Sequence, residues 1–248
     1  MKKVVLFGEC MLELRQSIGN ELRRSFAGDA YNTAVYLKRA FSDDNVAFMT
    51  ALGQDTISKQ MIDVFSDEQL DNRCVFTGSQ HNPGVYLVET DKFGERSFLY
   101  WRENSSARQI MQFVDAKTIA GLLEADLFFF SGISLAVLEP SDRPKFWNML
   151  DQLKEAGVKI AFDPNYRPRL WQNKAEAQVE FAKAYALSNI LLPGIDDFKQ
   201  LYDIHELEDL LEFCRPFDIQ EMVIKNGSKS VYCQSGSNQL LLPTIAVK

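Results

Sequence analysis

The chain is poor in the residues that announce a function at once. Of its 248 residues only two are histidine and four are cysteine, and Cys10, Cys74, Cys214 and Cys233 lie far apart with no CxxC pair. That argues against a zinc centre and a disulfide framework, and the thiols are expected to be packed or surface groups in a reducing compartment. Positive charge is scarce too. With 27 Lys and Arg against 34 Asp and Glu the formal net charge is -7, and no basic stripe interrupts the acidic balance. Nucleic acid, which is held through clustered Lys and Arg, is therefore not an expected partner. No apolar run is long enough to span a bilayer, so no membrane partner is expected either. The opening MKKVVLFGECMLEL starts basic, but Gly8 and Glu9 break its apolar stretch and no cleavage-site pattern follows. It reads as a first strand rather than a signal peptide, and the expected address is the cytoplasm.

What is present is an ordinary globular composition, 46% hydrophobic and 25% charged, in a chain long enough for one large domain. Short apolar runs alternate with segments of helical period, the pattern of βαβ units around a mainly parallel sheet. Val4–Phe7, Val46–Ala51, Leu127–Phe130, Val158–Phe162, Ile190–Leu192 and Met222–Ile224 are the expected strands. Between them Phe146, Met149, Leu150 and Leu153 fall at i, i+3, i+4 and i+7, and Gly157 follows as a stop. Ala30, Ala34, Leu37 and Phe41 make a second stripe, and Ile57, Met61 and Phe65 a third. One region breaks the rhythm. GVYLVETDKFGERSFLYWR, residues 84 to 102, reads as a hairpin whose turn contains Gly94. Period 2 puts Phe98, Tyr100 and Arg102 on one face and Leu99 and Trp101 on the other, so the hairpin is expected to cover something and to meet a second surface. SVYCQSGSNQLLLPTIAVK reads as a strand pair running up to Lys248.

Five places carry candidate chemistry, each with a plainer alternative. In AGDAYNTAVYLKRA, Gly28 lets the backbone approach a ligand and Asp29 caps a helix or accepts hydrogen bonds from hydroxyls; an ordinary loop and cap is the alternative. Tyr86, Tyr100 and Arg102 on the hairpin suit a polyol or a carboxylate, or simply pack on a surface. DPNYRPRLWQN, residues 163 to 173, follows a strand and uses Pro164 and Pro168 to fix a turn carrying Arg167 and Arg169. Anion binding competes there with solvated arginines. VIKNGSKS offers Lys225 and the Gly227 turn to a phosphate, or is a bare hairpin turn. Asp196 and Asp197 suit a hydrated divalent cation or complement a helix dipole.

Together GECMLEL, GDAYNTAVYLKRA, TALGQDTISKQM, the hairpin, SGISLAVL and DPNYRPRLW resemble the ribokinase-like (PfkB) sugar kinases. Within that family the hairpin's Tyr-Trp-Arg and the DPNYRPRLW stretch resemble the branch acting on the sugar acid 2-keto-3-deoxygluconate. The resemblance implies a three-layer α/β/α domain over residues 1 to 248 with a mainly parallel central sheet. It adds a small β-sheet lid from about residues 9 to 27 and 72 to 102, through which the chain forms a homo-oligomer. It implies that Gly28, Asp29, Tyr86, Tyr100, Arg102, Ile133 and Arg167 bind the sugar acid, the arginines facing its carboxylate. Asn165, Lys225 and Gly227 would face ATP, and Asp197 would stand near Mg²⁺, although PGIDD departs from the family's asparagine-led pattern there. Arg169 matches no substrate position. The family's D-T-x-A-A-G-D signature, which carries its general-base aspartate and anion hole, has no match between Ile245 and Lys248. Both are therefore expected beyond Lys248, no catalytic residue is assigned within this stretch, and little phosphoryl transfer is expected of it alone. A fructokinase-like activity and a non-catalytic sugar-acid binder are the alternatives.

Overall fold

A computed structural model describes residues 1 to 16, 21 to 90 and 95 to 244. The hairpin turn at Gly94 and the residues after Thr244, Lys248 among them, lie outside the described residues. The strands are β1 (Lys3–Phe7), β2 (Met11–Gln16), β3 (Leu22–Ala27), β4 (Asn45–Leu52), β5 (Val75–Thr77), β6 (Val85–Thr90), β7 (Arg96–Trp101), β8 (Leu127–Ser131), β9 (Lys159–Asp163), β10 (Ile190–Leu191), β11 (Glu221–Asn226), β12 (Ser230–Ser235) and β13 (Asn238–Pro243). The helices are α1 (Asp29–Ala40), α2 (Thr56–Asp67), α3 (Ile110–Phe113), α4 (Ala116–Leu122), α5 (Gly132–Val137), α6 (Arg143–Glu155), α7 (Lys174–Leu187), α8 (Ile195–Tyr202) and α9 (Leu207–Cys214).

Among the described residues the larger sheet has nine strands in the order β13-β12-β11-β10-β9-β8-β1-β4-β5. All its pairs are parallel except β11 with β12 and β12 with β13. The two faces follow from period 2. Val5, Phe7, Phe128, Phe130, Ile160 and Phe162 point to one side, where Phe146 and Leu150 of α6, Phe181 and Tyr185 of α7 and Phe198 of α8 bury them. Val4, Leu6, Val46, Phe48 and Phe129 point to the other, where Ala30 and Ala34 of α1 and Met61 and Phe65 of α2 close a second core. Sheet and helices thus form three layers, and each fully buried large side chain contributes about 1.5 to 3 kcal/mol to holding them.

The expected helix over Phe146 and Leu153 is α6, and all four stripe residues are buried; Gly157 follows it with φ of 86°. Phe41 does not join its stripe, because α1 stops at Ala40 and leaves Phe41 58% exposed.

The smaller sheet has the order β3-β2-β6-β7 among the described residues. It is built from the segments expected to form the lid, and is called the lid, but it spans fewer residues than expected. Residues 75 to 77 form β5, whose backbone pairs in parallel with Thr50–Leu52 at the edge of the large sheet. The lid strands are therefore 11 to 16, 22 to 27, 85 to 90 and 96 to 101. A three-residue apolar run carries too little periodicity to tell a sheet edge from a lid strand.

Candidate active site

The carboxyl ends of the central parallel strands lie side by side: Ser131 ends β8 opposite Asp163 at the end of β9. Open α/β sheets carry ligands at this edge. From Asp163 the chain turns through Asn165, a non-glycine residue at φ of 33°, in a region where asparagine is among the better tolerated side chains. Two aromatics then anchor the loop. Tyr166 is buried and meets Phe181 edge-on at 6.2 Å; Trp171 is buried against the same ring at 5.5 Å and under the Arg143 guanidinium at 5.0 Å. Between these anchors Pro168 opens a single 3-10 turn, Pro168–Leu170, where the prolines suggest only a turn. The loop closes when the Asn173 side chain accepts from the Glu176 amide and caps α7. Arg167 and Arg169 are what the anchored loop leaves outside. Arg167 is half exposed; its Nη1 donates to the Tyr166 carbonyl and lies 3.9 Å from Asp197 Oδ1.

Facing the loop is the lid. Tyr100 stacks on Tyr86 at 5.6 Å and on Phe98 at 6.3 Å, which sets one aromatic face toward the strand ends. Between lid and loop runs a cleft of about 600 Å³, lined among others by Tyr100, Arg102, Ile133, Arg167 and Arg169. Four of the expected substrate residues thus meet in one space, together with Arg169, which matched no position. Arg102 is committed further than expected: its guanidinium, buried like its partner, donates from Nη2 to Glu9.

The other expected residues build the walls. Gly28 precedes α1, and a Cβ on it would stand 2.2 Å from the Glu9 carbonyl oxygen, so no larger residue fits. Asp29 is not a cap. It is the first residue of α1, and its Oδ2 accepts from the Ser131 hydroxyl and, at 3.2 Å, from Asn165 Nδ2. Tyr86 does not line the cleft, because its hydroxyl donates to Glu13 and the ring is buried behind Tyr100. Burial and that hydrogen bond raise its phenol well above the usual range. Burial alone would raise Glu13, but hydrogen bonds from Tyr86, Ser25 and Arg15 outweigh it and hold the carboxyl low.

Lys225 lies one residue before the end of β11 and its Nζ donates to Asp163 Oδ2 at 2.8 Å. Burial still pushes Asp163 above the ordinary carboxylate range, and pushes Asp197 the same way with help from the charge of Asp163. Asp197 lies in the first turn of α8, where it accepts from the Tyr166 amide at 2.8 Å and the Gly194 amide at 3.2 Å. Gly227 sits in the β11–β12 turn at φ of 54° in open space. The residues gathered here are groups suited to binding and positioning a substrate. Sequence reasoning passed over Glu9, Glu13, Ser131 and Asp163. The one signal available for Glu9 and Asp163 was an acid set directly beside an apolar strand run.

Comparison with known proteins agrees with this layout. The model of the pfkB family carbohydrate kinases matches residues 1 to 248. The 2-dehydro-3-deoxygluconokinase of Haemophilus influenzae is 39% identical over 230 residues, covering 92% of this chain and 73% of that protein. A PfkB protein from Polaromonas superposes with a TM-score of 0.88 at 22% identity, over 100% of this chain and 84% of that one. A fructokinase from Xylella fastidiosa with bound ATP does so with a TM-score of 0.83 at 19% identity, over 100% and 76%.

Proposed function

The chain belongs to the pfkB family of carbohydrate kinases, and on that premise we propose that it serves the transfer of the ATP γ-phosphoryl group to the 6-hydroxyl of 2-keto-3-deoxygluconate. The observation that carries the acid over a neutral sugar is the pair of cationic jaws. Arg102 from the end of the lid and Arg167 from the loop after β9 line one cleft, and guanidinium matches carboxylate with two parallel donors. The relative at 39% identity is named for the same acid, whereas the fructokinase likeness at 19% is one of fold. Gly28 and Asp29 would border the sugar hydroxyls. Lid closure over the cleft would keep water from the phosphoryl group.

Kinases of this family use ATP. We place it beside Asn165, Lys225 and the Gly227 turn, at the strand ends next to the cleft. Magnesium would arrive with its phosphates. Asp197 accepts one backbone amide on each oxygen and keeps a free lone pair on both, so it would face the waters of the ion rather than hold it alone, and the described residues hold no cluster of three or more His, Cys, Asp or Glu suited to a metal. No step is therefore routed through the ion. Leu99 and Trp101, exposed on the lid face opposite Tyr100, support a homo-oligomer through the lid.

A coupled assay of ADP release on the protein expressed from its full reading frame tests the reading. Turnover with 2-keto-3-deoxygluconate should exceed that with fructose by roughly 100-fold or more in kcat/KM, since the acid alone offers each guanidinium a charge-assisted hydrogen bond worth about 1.5 to 3 kcal/mol. Equal turnover of the two sugars would sink it.

A further inference from the structure

Among the described residues the chain passes between the main domain and the lid four times, and the crossings meet at one buried ion pair. It enters at Glu9, leaves at Gly28, re-enters at Gly84 and leaves at Arg102. Arg102 Nη2 donates to Glu9 Oε2, with side chains only 9% and 2% exposed. Gly28 lies against the Glu9 carbonyl, and a Cβ on Gly84 would stand 2.8 Å from Glu9 Oε1 and 3.1 Å from Arg102 Cβ. The Gly84 carbonyl accepts from the Leu12 amide at 2.9 Å, which fixes the two entering strands together.

The pair is incomplete. Glu9 Oε1 and Arg102 Nε are both buried without a hydrogen-bond partner. Two desolvated charges joined by one hydrogen bond are a poor source of stability, and an apolar pair of similar volume would hold the crossings at least as well. Something other than stability keeps them. Arg102 also lines the cleft that holds Arg167, and a guanidinium has five donors, of which Glu9 takes one.

We propose that Glu9 is a positioning residue acting through Arg102: it is the protein's own stand-in for the substrate carboxylate, and it sets how strongly the cleft prefers an acid. This rests on the sugar-acid reading of the cleft. In the free protein Glu9 offsets the charge of Arg102, so the lid's exit does not bury an unpaired cation. Glu9 competes with an incoming carboxylate for that guanidinium and so holds acid affinity below what Arg102 and Arg167 would otherwise give. A neutral sugar meets neither effect.

Titration calorimetry with 2-keto-3-deoxygluconate and with fructose tests this. Glu9→Gln keeps the shape and removes the charge. Freeing the guanidinium from a competing charged acceptor should be worth roughly 10-fold or more, so the acid is expected to bind tighter by that factor while fructose binds unchanged. The Tm of the free variant should fall, and the acid should raise it by more than it raises that of the wild type. In an Arg102→Met background Glu9→Gln should leave acid binding unaltered, because the effect runs through the guanidinium. Should Glu9→Gln not fold, Glu9→Asp withdraws the same charge by one methylene and is expected to tighten acid binding roughly 2-fold or more. A wild type that binds fructose as well as the acid overturns the acid reading and this role together. If the wild type prefers the acid, but the Glu9 variant weakens acid and fructose alike or keeps its effect without Arg102, the role of Glu9 alone falls.

Discussion

Arg167 is aimed by its neighbours. Tyr166 and Trp171 are buried on either side of it, Pro168 fixes the next φ, and the side chain's own hydrogen bond runs back to the Tyr166 carbonyl. A side chain held this way loses little freedom when a ligand arrives, which favours a strong contact. A charge-assisted hydrogen bond is worth about 1.5 to 3 kcal/mol, so Arg167→Ala should raise KM for the sugar acid roughly 10- to 100-fold with a smaller change in kcat. Unfolding by urea should stay near the wild-type midpoint, because the half-exposed side chain is no part of the core. An unchanged KM would remove Arg167 from the substrate. At this scale residue type was legible and partnership was not. Tyr100, Arg102, Ile133 and Arg167 do share a cleft, as the motifs imply, but Glu9 on Arg102 and Glu13 on Tyr86 are contacts between residues more than 70 positions apart. No local period or spacing encodes them. Asp29 shows the same limit: its position at the start of a helix is readable, while its acceptance of a hydrogen bond from Ser131, a hundred residues on, is not.

Secondary-structure elements were more legible than their partners. Apolar runs of three to six residues gave β1, β4, β8, β9, β10 and β11 because strands buried on both faces are continuous in hydrophobicity. The helical stripes gave α1, α2 and α6 for the matching reason, that one face of each packs on the sheet. β5 fell inside the expected lid because the bounds of the lid came from the resemblance and not from a strand pattern in residues 75 to 77. What the elements do together appears at the ends of β9 and β11, where Asp163 and Lys225 pair across two strands with β10 between them. Removing the cation in Lys225→Met leaves Asp163 buried without its counter-charge. A fully buried pair broken in this way costs about 3 to 5 kcal/mol; since Lys225 is half exposed, on the order of 1 to 2 kcal/mol is expected near neutral pH. The sign with pH follows from linkage. Asp163 already has a raised carboxyl, and losing Lys225 raises it further, so the folded variant holds its proton to higher pH than the unfolded chain does. Its deficit against wild type should therefore be full above the raised titration and shrink as pH falls through it. Urea unfolding of both proteins near neutrality and again in the acid range measures this; a deficit that is constant, or larger in acid, would separate Lys225 from Asp163.

At the scale of the whole molecule the lid has two faces of different character, and the alternation that separates them was visible in the sequence. Cross-strand registry places Ser25, Glu13, Tyr86 and Tyr100 in one row, the face that carries the hydroxyl and carboxylate hydrogen bonds. The neighbouring rows on the opposite face run Arg24, Leu14, Leu87, Leu99 and Phe26, Leu12, Val85, Trp101. Leu12 and Phe26 pack toward the α1 side of the main domain, but Leu99 and Trp101 remain 46% and 55% exposed at the end strand of the lid. In the proposed homo-oligomer these rows are the surfaces through which two identical lids would meet. Aromatic anchors at such interfaces commonly carry about 2 kcal/mol or more each. Introducing paired charges with Leu99→Glu and Trp101→Glu should therefore weaken a lid-to-lid dimer by roughly 1000-fold or more, and sedimentation should show the shift to monomer while circular dichroism retains the α/β spectrum. Trp101 does not line the cleft whereas Leu99 does, so Trp101→Glu alone should leave sugar-acid binding by the separated monomer in place, while Leu99→Glu should also weaken it directly. A wild type that sediments as a monomer, or a dimer indifferent to both glutamates, would place the oligomer contact elsewhere or nowhere and leave the lid to work alone.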